Sequence, residues 1–139
     1  MRLVVDTNVL VSALLSGGSL PAHLITLWRQ GRFVLLTAAE QLDEFRRVTR
    51  YPRLRERLAP QLAGRLVNDL RAIAVVVPRL PQVSVSADPD DDFLLAIAMA
   101  GTADFLVTGD KNGLLVLRRH AGITIVTVRE YLALQRSLP

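Results

Sequence analysis

The sequence contains no cysteine, only two histidines and only one lysine, Lys111. The missing cysteines exclude disulfides, thiolate zinc sites and a cysteine nucleophile. The histidines, His23 and His120, lie at unrelated places, which argues against a histidine-pair nuclease and against a Ser-His-Asp triad. Aromatic residues make up 5% of the chain and hydrophobic residues 50%, so we expect a globular core of leucine, valine and alanine.

A membrane-spanning segment is also missing from the pattern. Residues 7–28 carry no formal charge, but polar residues and glycines interrupt them, whereas a spanning helix needs about 20 predominantly apolar residues. A signal peptide is not indicated either, because Asp6 falls where its apolar segment would lie. We therefore expect a soluble, cytoplasmic protein with no membrane partner.

The chain has 139 residues, which predicts one domain spanning residues 1–139. Its formal net charge of +4 favours a polyanionic partner such as a nucleic acid. This small sum hides two opposite segments. Residues 46–57 contain six arginines and one glutamate, and residues 88–92 contain four aspartates. The separation favours a phosphate-binding rim beside an acidic pocket.

Predicted strands and helices alternate along the chain. The strands are short apolar runs at residues 3–5, 33–36, 74–77, 105–107 and 123–126. The helices cover residues 9–15, 20–30, 39–50, 54–72, 88–100, 112–119 and 128–137, and residues 78–87 are expected to form a surface loop. Strands that are apolar on both faces are typical of a parallel sheet covered by helices, so an α/β fold is predicted.

Acidic residues lie where the predicted strands end. Asp6 directly follows the first strand, Asp110 follows the fourth, and the acids at residues 88–92 begin the helix that leads into the fourth. Glu44 lies beside the apolar face of the helix after the second strand. Right-handed crossovers would bring these positions to the edge of an open parallel sheet where ligands bind.

Asp6, Asp110 and Glu44 also have a purely structural interpretation. An aspartate after a strand often starts a turn or caps a helix, and an acid on a helix is often simply solvated. Several carboxylates at one edge would, however, repel one another and raise their own pKa values. A bound divalent cation removes that repulsion, and ligands that are all oxygen suit Mg²⁺ or Mn²⁺ rather than zinc.

The acids at residues 88–92 form a good helix start, because Asp88 can cap the helix and Pro89 suits its first position. Capping does not require Asp92, which stands immediately before an almost uniformly apolar helix. An acid at the mouth of a buried helix is expected near the sheet edge. Asp92 is therefore the preferred site residue, with Asp91 as the alternative.

Three stretches, residues 4–10, 42–48 and 88–110, resemble the PIN-domain ribonucleases, particularly the toxin-like bacterial branch related to VapC toxins. The resemblance implies a three-layer α/β/α fold with a five-stranded parallel sheet in the order 3-2-1-4-5. It also implies an endoribonuclease that hydrolyses phosphodiester bonds of mostly single-stranded RNA with one or two Mg²⁺ or Mn²⁺ ions.

Four acids match the catalytic and metal-binding positions of that family: Asp6, Glu44, Asp92 and Asp110. The resemblance implies that Asp6, Asp92 and Asp110 bind the metal, and that Glu44 binds it or orients the attacking water. Other residues match polar positions that support the acids or contact the substrate: Thr7, Asn8, Thr108 and, beside Asp92, Asp91.

The toxin-like branch implies a type II toxin–antitoxin pair. RNA, a cognate antitoxin protein and a second copy of the chain in a homodimer are the expected partners. The alternative is a non-catalytic module on the same fold that binds nucleic acid or protein.

Arg46, Arg47, Arg50 and Arg53 lie just after Glu44. We expect them to form an RNA-binding rim beside the acids, and the alternative is a solvated helix face. Apart from Tyr51 no aromatic residue accompanies them, so sequence-specific readout of bases is not predicted.

Overall fold

One sheet runs through the structure, a computed structural model that describes residues 1–109 and 113–137. Within those residues its strands are β1 Arg2–Val5, β2 Val34–Thr37, β3 Val75–Val76, β4 Phe105–Val107, β5 Arg119–His120 and β6 Ile123–Val126. The strand order is β3-β2-β1-β4-β6-β5, and neighbouring strands are parallel except β5 and β6, which are antiparallel. β1 therefore lies between β2 and β4, near the middle of the sheet.

Helices cover both faces of this sheet. They are α1 Thr7–Leu15, α2 Leu20–Arg29, α3 Ala39–Thr49, α4 Pro52–Arg55, α5 Pro60–Ile73, α6 Pro89–Ala100 and α7 Val128–Arg136, with a 3-10 helix at Leu114–Val116. Alternate residues of β1 face opposite sides: Leu3 and Val5 join the core formed with α1, α2, α3, α5 and α7, whereas Val4 joins the core formed with α6. The predicted α/β fold with helices on both faces of a largely parallel sheet is confirmed.

The predicted count of five strands is wrong, because the sheet has a sixth strand, β5, at its edge. The five predicted strands keep the predicted order, with β6 as the fifth of them. Residues 114–120 do not form the predicted helix but a 3-10 helix followed by β5, and Asn112 lies outside the described residues. The cause is local: Ala121 and Gly122 have φ angles of 51° and 81° and make a two-residue turn that folds β5 back onto β6.

The predicted helix over residues 54–72 is likewise wrong, because the chain forms α4 and α5 there. Pro60 begins α5. Proline has no N–H to continue the preceding helix, but its fixed φ suits a first turn. Between the two helices, the chain places Leu58 in a buried position. A cavity lies beside this break, between α3 and α5.

No single helix in the described ranges is long and apolar enough to cross a membrane. Only α1 and α2 taken together reach that length and composition, and they meet at an angle of 102°. Both helices bury residues such as Leu10 and Trp28 in the core against the sheet.

The turn between β5 and β6 gives a test of the sixth strand. Replacing Ala121 by asparagine should raise the free energy of unfolding by about 1 kcal/mol, because asparagine tolerates the left-handed conformation better than alanine. Ala121→Val should lower it, since a β-branched side chain is strained at positive φ. Urea unfolding followed by circular dichroism would measure both variants. The opposite order of stabilities would contradict this turn.

Candidate active site

Asp6 lies where β1 turns into α1. Its backbone N–H donates to the Val107 carbonyl at 2.9 Å, which extends the ladder between β1 and β4. Its Oδ1 accepts a hydrogen bond from the Asn8 N–H at 3.0 Å and so caps α1. Its Oδ2 accepts from the Thr108 hydroxyl at 2.8 Å. The residue is 8% exposed, and a cavity of about 370 Å³, here called the Asp6 cavity, opens beside it. The structural interpretation of Asp6 as a helix cap therefore holds, and the residue borders a cavity as well.

Thr108 reaches Asp6 because β1 and β4 are parallel and in register. Val5 pairs with Val107, so the residues that follow the two strands are neighbours. Thr108 is fully buried, and its N–H donates to the Val126 carbonyl at 3.0 Å. Thr108, which the family resemblance places among the residues that support the acids, thus donates a hydrogen bond to Asp6 in the structure. Asp110, which follows Thr108 by two positions, lies outside the described residues.

Gln41 is a buried polar residue that sequence reasoning missed. Its Nε2 donates to the Val5 carbonyl at 2.7 Å and, more weakly, to the Thr7 hydroxyl at 3.4 Å. Its Oε1 accepts a hydrogen bond from the Thr37 hydroxyl at 2.7 Å. The signal was present in the sequence, because Gln41 lies one turn before Phe45 on the apolar face of α3.

Glu44 lies one turn after Gln41 on α3 and is half-buried. Gln41 ties the first turn of this helix to the ends of β1 and β2, and the next turn carries Glu44. Thr7, which Gln41 contacts, is itself 3% exposed and follows Asp6 directly. The hydrogen bonds of Gln41 thus fix α3 beside the strand end that holds Asp6.

At the start of α6 the structure buries Asp91, the alternative site residue, more deeply than Asp92, the preferred one. Asp92 is partly exposed, and its Oδ1 accepts hydrogen bonds from the backbone N–H groups of Ser86 at 2.8 Å and Val85 at 3.0 Å. These N–H groups, with Ser86 the stronger influence, hold the pKa of Asp92 below its ordinary value. Asp88 caps the helix by accepting from a backbone N–H, as predicted, and Asp91 is the buried acid at 8% exposure.

Asp91 lines a second cavity of about 370 Å³, together with Ser86, Asp88 and Gly113. Gly109 lines the Asp6 cavity. Gly109 and Gly113, which flank positions 110–112, therefore each border one of the two cavities. Among the acids of residues 88–92, Asp91 is the one that is both buried and in the lining of a cavity.

The donors available for a cation can be compared with what the ion requires. Within residues 1–109 and 113–137, no group of three or more acidic or histidine side chains is close enough to hold a metal ion. The carboxylates of Asp6 and Asp91 are buried, border cavities, and offer oxygen ligands alone. Oxygen ligands of this kind are the ones that Mg²⁺ or Mn²⁺ prefers, and the other two predicted acids are Glu44, which is half-buried, and Asp110, which lies outside the described residues.

The predicted arginine rim lines two adjoining cavities, which we call the arginine groove. The first, of about 720 Å³, has Asn8, Ser12, Tyr51 and Arg53 in its lining, and the second, of about 690 Å³, has Arg46, Arg47, Arg50 and Tyr51. Tyr51 belongs to both. Asn8 and Ser12 also line the Asp6 cavity, so the groove continues into it. Cationic side chains therefore lie along a path that ends at Asp6.

Comparison with known proteins gives the family of the chain. The uncharacterized protein MJ1680 of Methanocaldococcus jannaschii is 29% identical over 115 residues, which cover 81% of this chain and 72% of that protein. No solved structure matches the chain. A family model described as PIN domain matches residues 2–112, a range that includes β1, Asp6 and the acids of α6. PIN domains are generally nucleases and typically use divalent metal ions. Because the match covers most of its length, the chain belongs to the PIN domain family.

Proposed function

We propose that this PIN domain is a metal-dependent endoribonuclease that hydrolyses phosphodiester bonds of mostly single-stranded RNA. The observation that carries the proposal is the continuity between the Asp6 cavity and the arginine groove, through the shared lining residues Asn8 and Ser12. An RNA backbone bound by arginines in that groove would pass the buried carboxylate of Asp6.

Asp6, Asp91, Asp110 and Glu44 are the residues we propose for an Mg²⁺ or Mn²⁺ site. We choose Asp91 in place of Asp92 among the ligands because Asp91 is 8% exposed and lines a cavity. A bound ion of this kind lowers the pKa of a coordinated water and neutralises phosphate charge.

The residues around these acids would hold them in position. The Thr108 hydroxyl and the Asn8 N–H each donate to one oxygen of Asp6, so its carboxylate has a fixed orientation. Gln41 fixes α3 against the end of β1, and Glu44 then approaches from the neighbouring helix. Arg46, Arg47, Arg50 and Arg53 would bind phosphates on the way to the acids.

A narrower proposal is that the chain is the cytoplasmic toxin of a type II toxin–antitoxin pair and forms a homodimer. Its support is the sequence resemblance of residues 4–10 and 42–48 to the toxin-like branch. A small open reading frame beside the gene, whose product binds this chain and blocks RNA cleavage, would test it.

The purified protein should cleave single-stranded RNA with Mg²⁺ or Mn²⁺ and stop when a chelator is added. Asp6→Asn should lower the cleavage rate at least about 100-fold, because it removes a charged oxygen ligand while keeping the size of the side chain. Gel analysis of end-labelled RNA would measure this. Cleavage that survives both the chelator and the substitution would overturn the proposal, and metal-independent binding without cleavage would favour a binding module.

Asp91→Asn and Asp92→Asn form a matched pair of variants in adjacent positions. Asp91→Asn should lower the cleavage rate at least about 100-fold, whereas Asp92→Asn should change it less than about tenfold, since asparagine keeps an oxygen for the loop amides. The rate of each purified variant on one RNA would decide between the two acids. Loss of activity in Asp92→Asn alone would restore Asp92 as the ligand.

The arginine groove can be tested without cleavage, by RNA binding in a chelator. Arg47→Ala or Arg53→Ala should weaken binding of different single-stranded RNAs to a similar degree and lower the slope of log affinity against log salt by about 0.7 to 1. Fluorescence anisotropy would measure affinity across a salt series. The control is Arg136→Ala, an exposed arginine of α7 outside the groove. Equal effects of all three variants would indicate only a general effect of charge.

A further inference from the structure

The cavity between α3 and α5 lies beside the arginine groove. It has a volume of about 350 Å³, within the usual range of roughly 300–1,000 Å³ for small-molecule sites. Three arginines, Arg46, Arg50 and Arg55, line its charged side. Leu58 and Val67 contribute to its apolar side, and no acidic residue in the described part of the chain lines it.

The positive charge of this cavity is largely uncompensated. Among the described residues, Arg46 is the arginine of this cavity that forms an ion pair, with its Nη1 3.9 Å from Oδ1 of Asp43. Arg50 and Arg55 are exposed and have no acidic partner among those residues. An anion entering the cavity would therefore meet guanidinium groups that are not already neutralised.

Gly64 is an exposed residue in the lining of the cavity. It lies inside α5, where glycine costs about 1 kcal/mol relative to alanine. A Cβ atom at this position would meet no atom within 4 Å, so close packing does not require glycine here. The missing side chain instead leaves space in the wall of the cavity.

The cavity shares two lining residues with the arginine groove. Arg46 and Arg50 line both, and the groove leads to the Asp6 cavity. A ligand that combines a phosphate with a flat, partly apolar group matches the two sides of this cavity. A nucleotide has that chemistry, and arginine planes stack on bases without sequence preference.

We infer that this cavity binds one nucleotide of the RNA strand, with its phosphate on Arg50 and Arg55 and its base against Leu58 and Val67. The inference rests on the proposed ribonuclease function and adds a binding subsite away from the acids. Substrates long enough to reach the cavity would bind more tightly than substrates that end in the groove.

Gly64→Leu tests the inference, because leucine would fill the cavity and favour the helix. The control is Ala72→Leu, which adds a leucine to an exposed position of the same helix outside the cavity. The probes are a fluorescent single-stranded oligoribonucleotide, followed by anisotropy in a chelator, and adenosine 5′-monophosphate, followed by amide shifts. Gly64→Leu should weaken both interactions about tenfold, and Ala72→Leu should leave them unchanged.

Unchanged RNA affinity in Gly64→Leu would overturn the inference, even if the wild-type protein cleaves RNA. Binding that depends on Gly64 without any cleavage in Mg²⁺ or Mn²⁺ would support the cavity and refute the proposed ribonuclease. A hexaglutamate peptide that binds the cavity while the oligoribonucleotide does not would overturn the inference in favour of an acidic peptide. Binding of inorganic phosphate as tight as that of the nucleotide would overturn the role given to the apolar wall.

Discussion

Asp6 lies between the central strand β1 and the first helix α1, and it borders the candidate site. The rest of the site depends on the hydrogen bonds that hold this residue in place. Its N–H pairs with Val107, its Oδ1 caps α1, and its Oδ2 accepts from Thr108. A carboxylate that is 8% exposed needs such donors, because burying a charge without partners is costly. The same donors fix its orientation, so the interactions that stabilise the strand-to-helix turn also prepare the acid for a ligand.

Gln41 fixes the position of α3 against the sheet in a similar way, through hydrogen bonds. Its amide joins the Val5 carbonyl and the Thr37 hydroxyl, and an apolar residue in its place would remove both of these buried hydrogen bonds. The packing of α3 against the sheet therefore has a specific position and not only a hydrophobic face. The hydrogen bonds of Gln41, and not apolar side chains that could repack, therefore set the distance from α3 to the end of β1. Glu44 lies one turn further along the same helix, so its position depends on the same hydrogen bonds.

The apolar runs and their alternation with helical segments were sufficient to predict five of the six strands and the α/β class. The strand order and the place of Thr108 beside the acids followed from the family resemblance instead. The sequence could not show local geometry that single residues determine. Asp91 is the buried acid at the start of α6, and the Asp92 carboxylate accepts hydrogen bonds from two backbone amides of the preceding loop. The sixth strand depends on Ala121 at positive φ, where asparagine would have been the usual signal. Pro60, by contrast, was a readable signal of the break before α5.

The small net charge of +4 results from charges that act in different places. The acids lie at strand and helix ends, where hydrogen bonds compensate them, and the arginines line the groove and the cavity beside α5 with few acidic partners. A polyanion would therefore be attracted first by the arginines, since the acids repel it. The groove would then determine which phosphodiester reaches Asp6. The length of strand bound in the groove would determine the position of the strand relative to that acid. For the RNA proposed above, the arginines would determine where the strand is bound, and the acids would determine whether it is cleaved there.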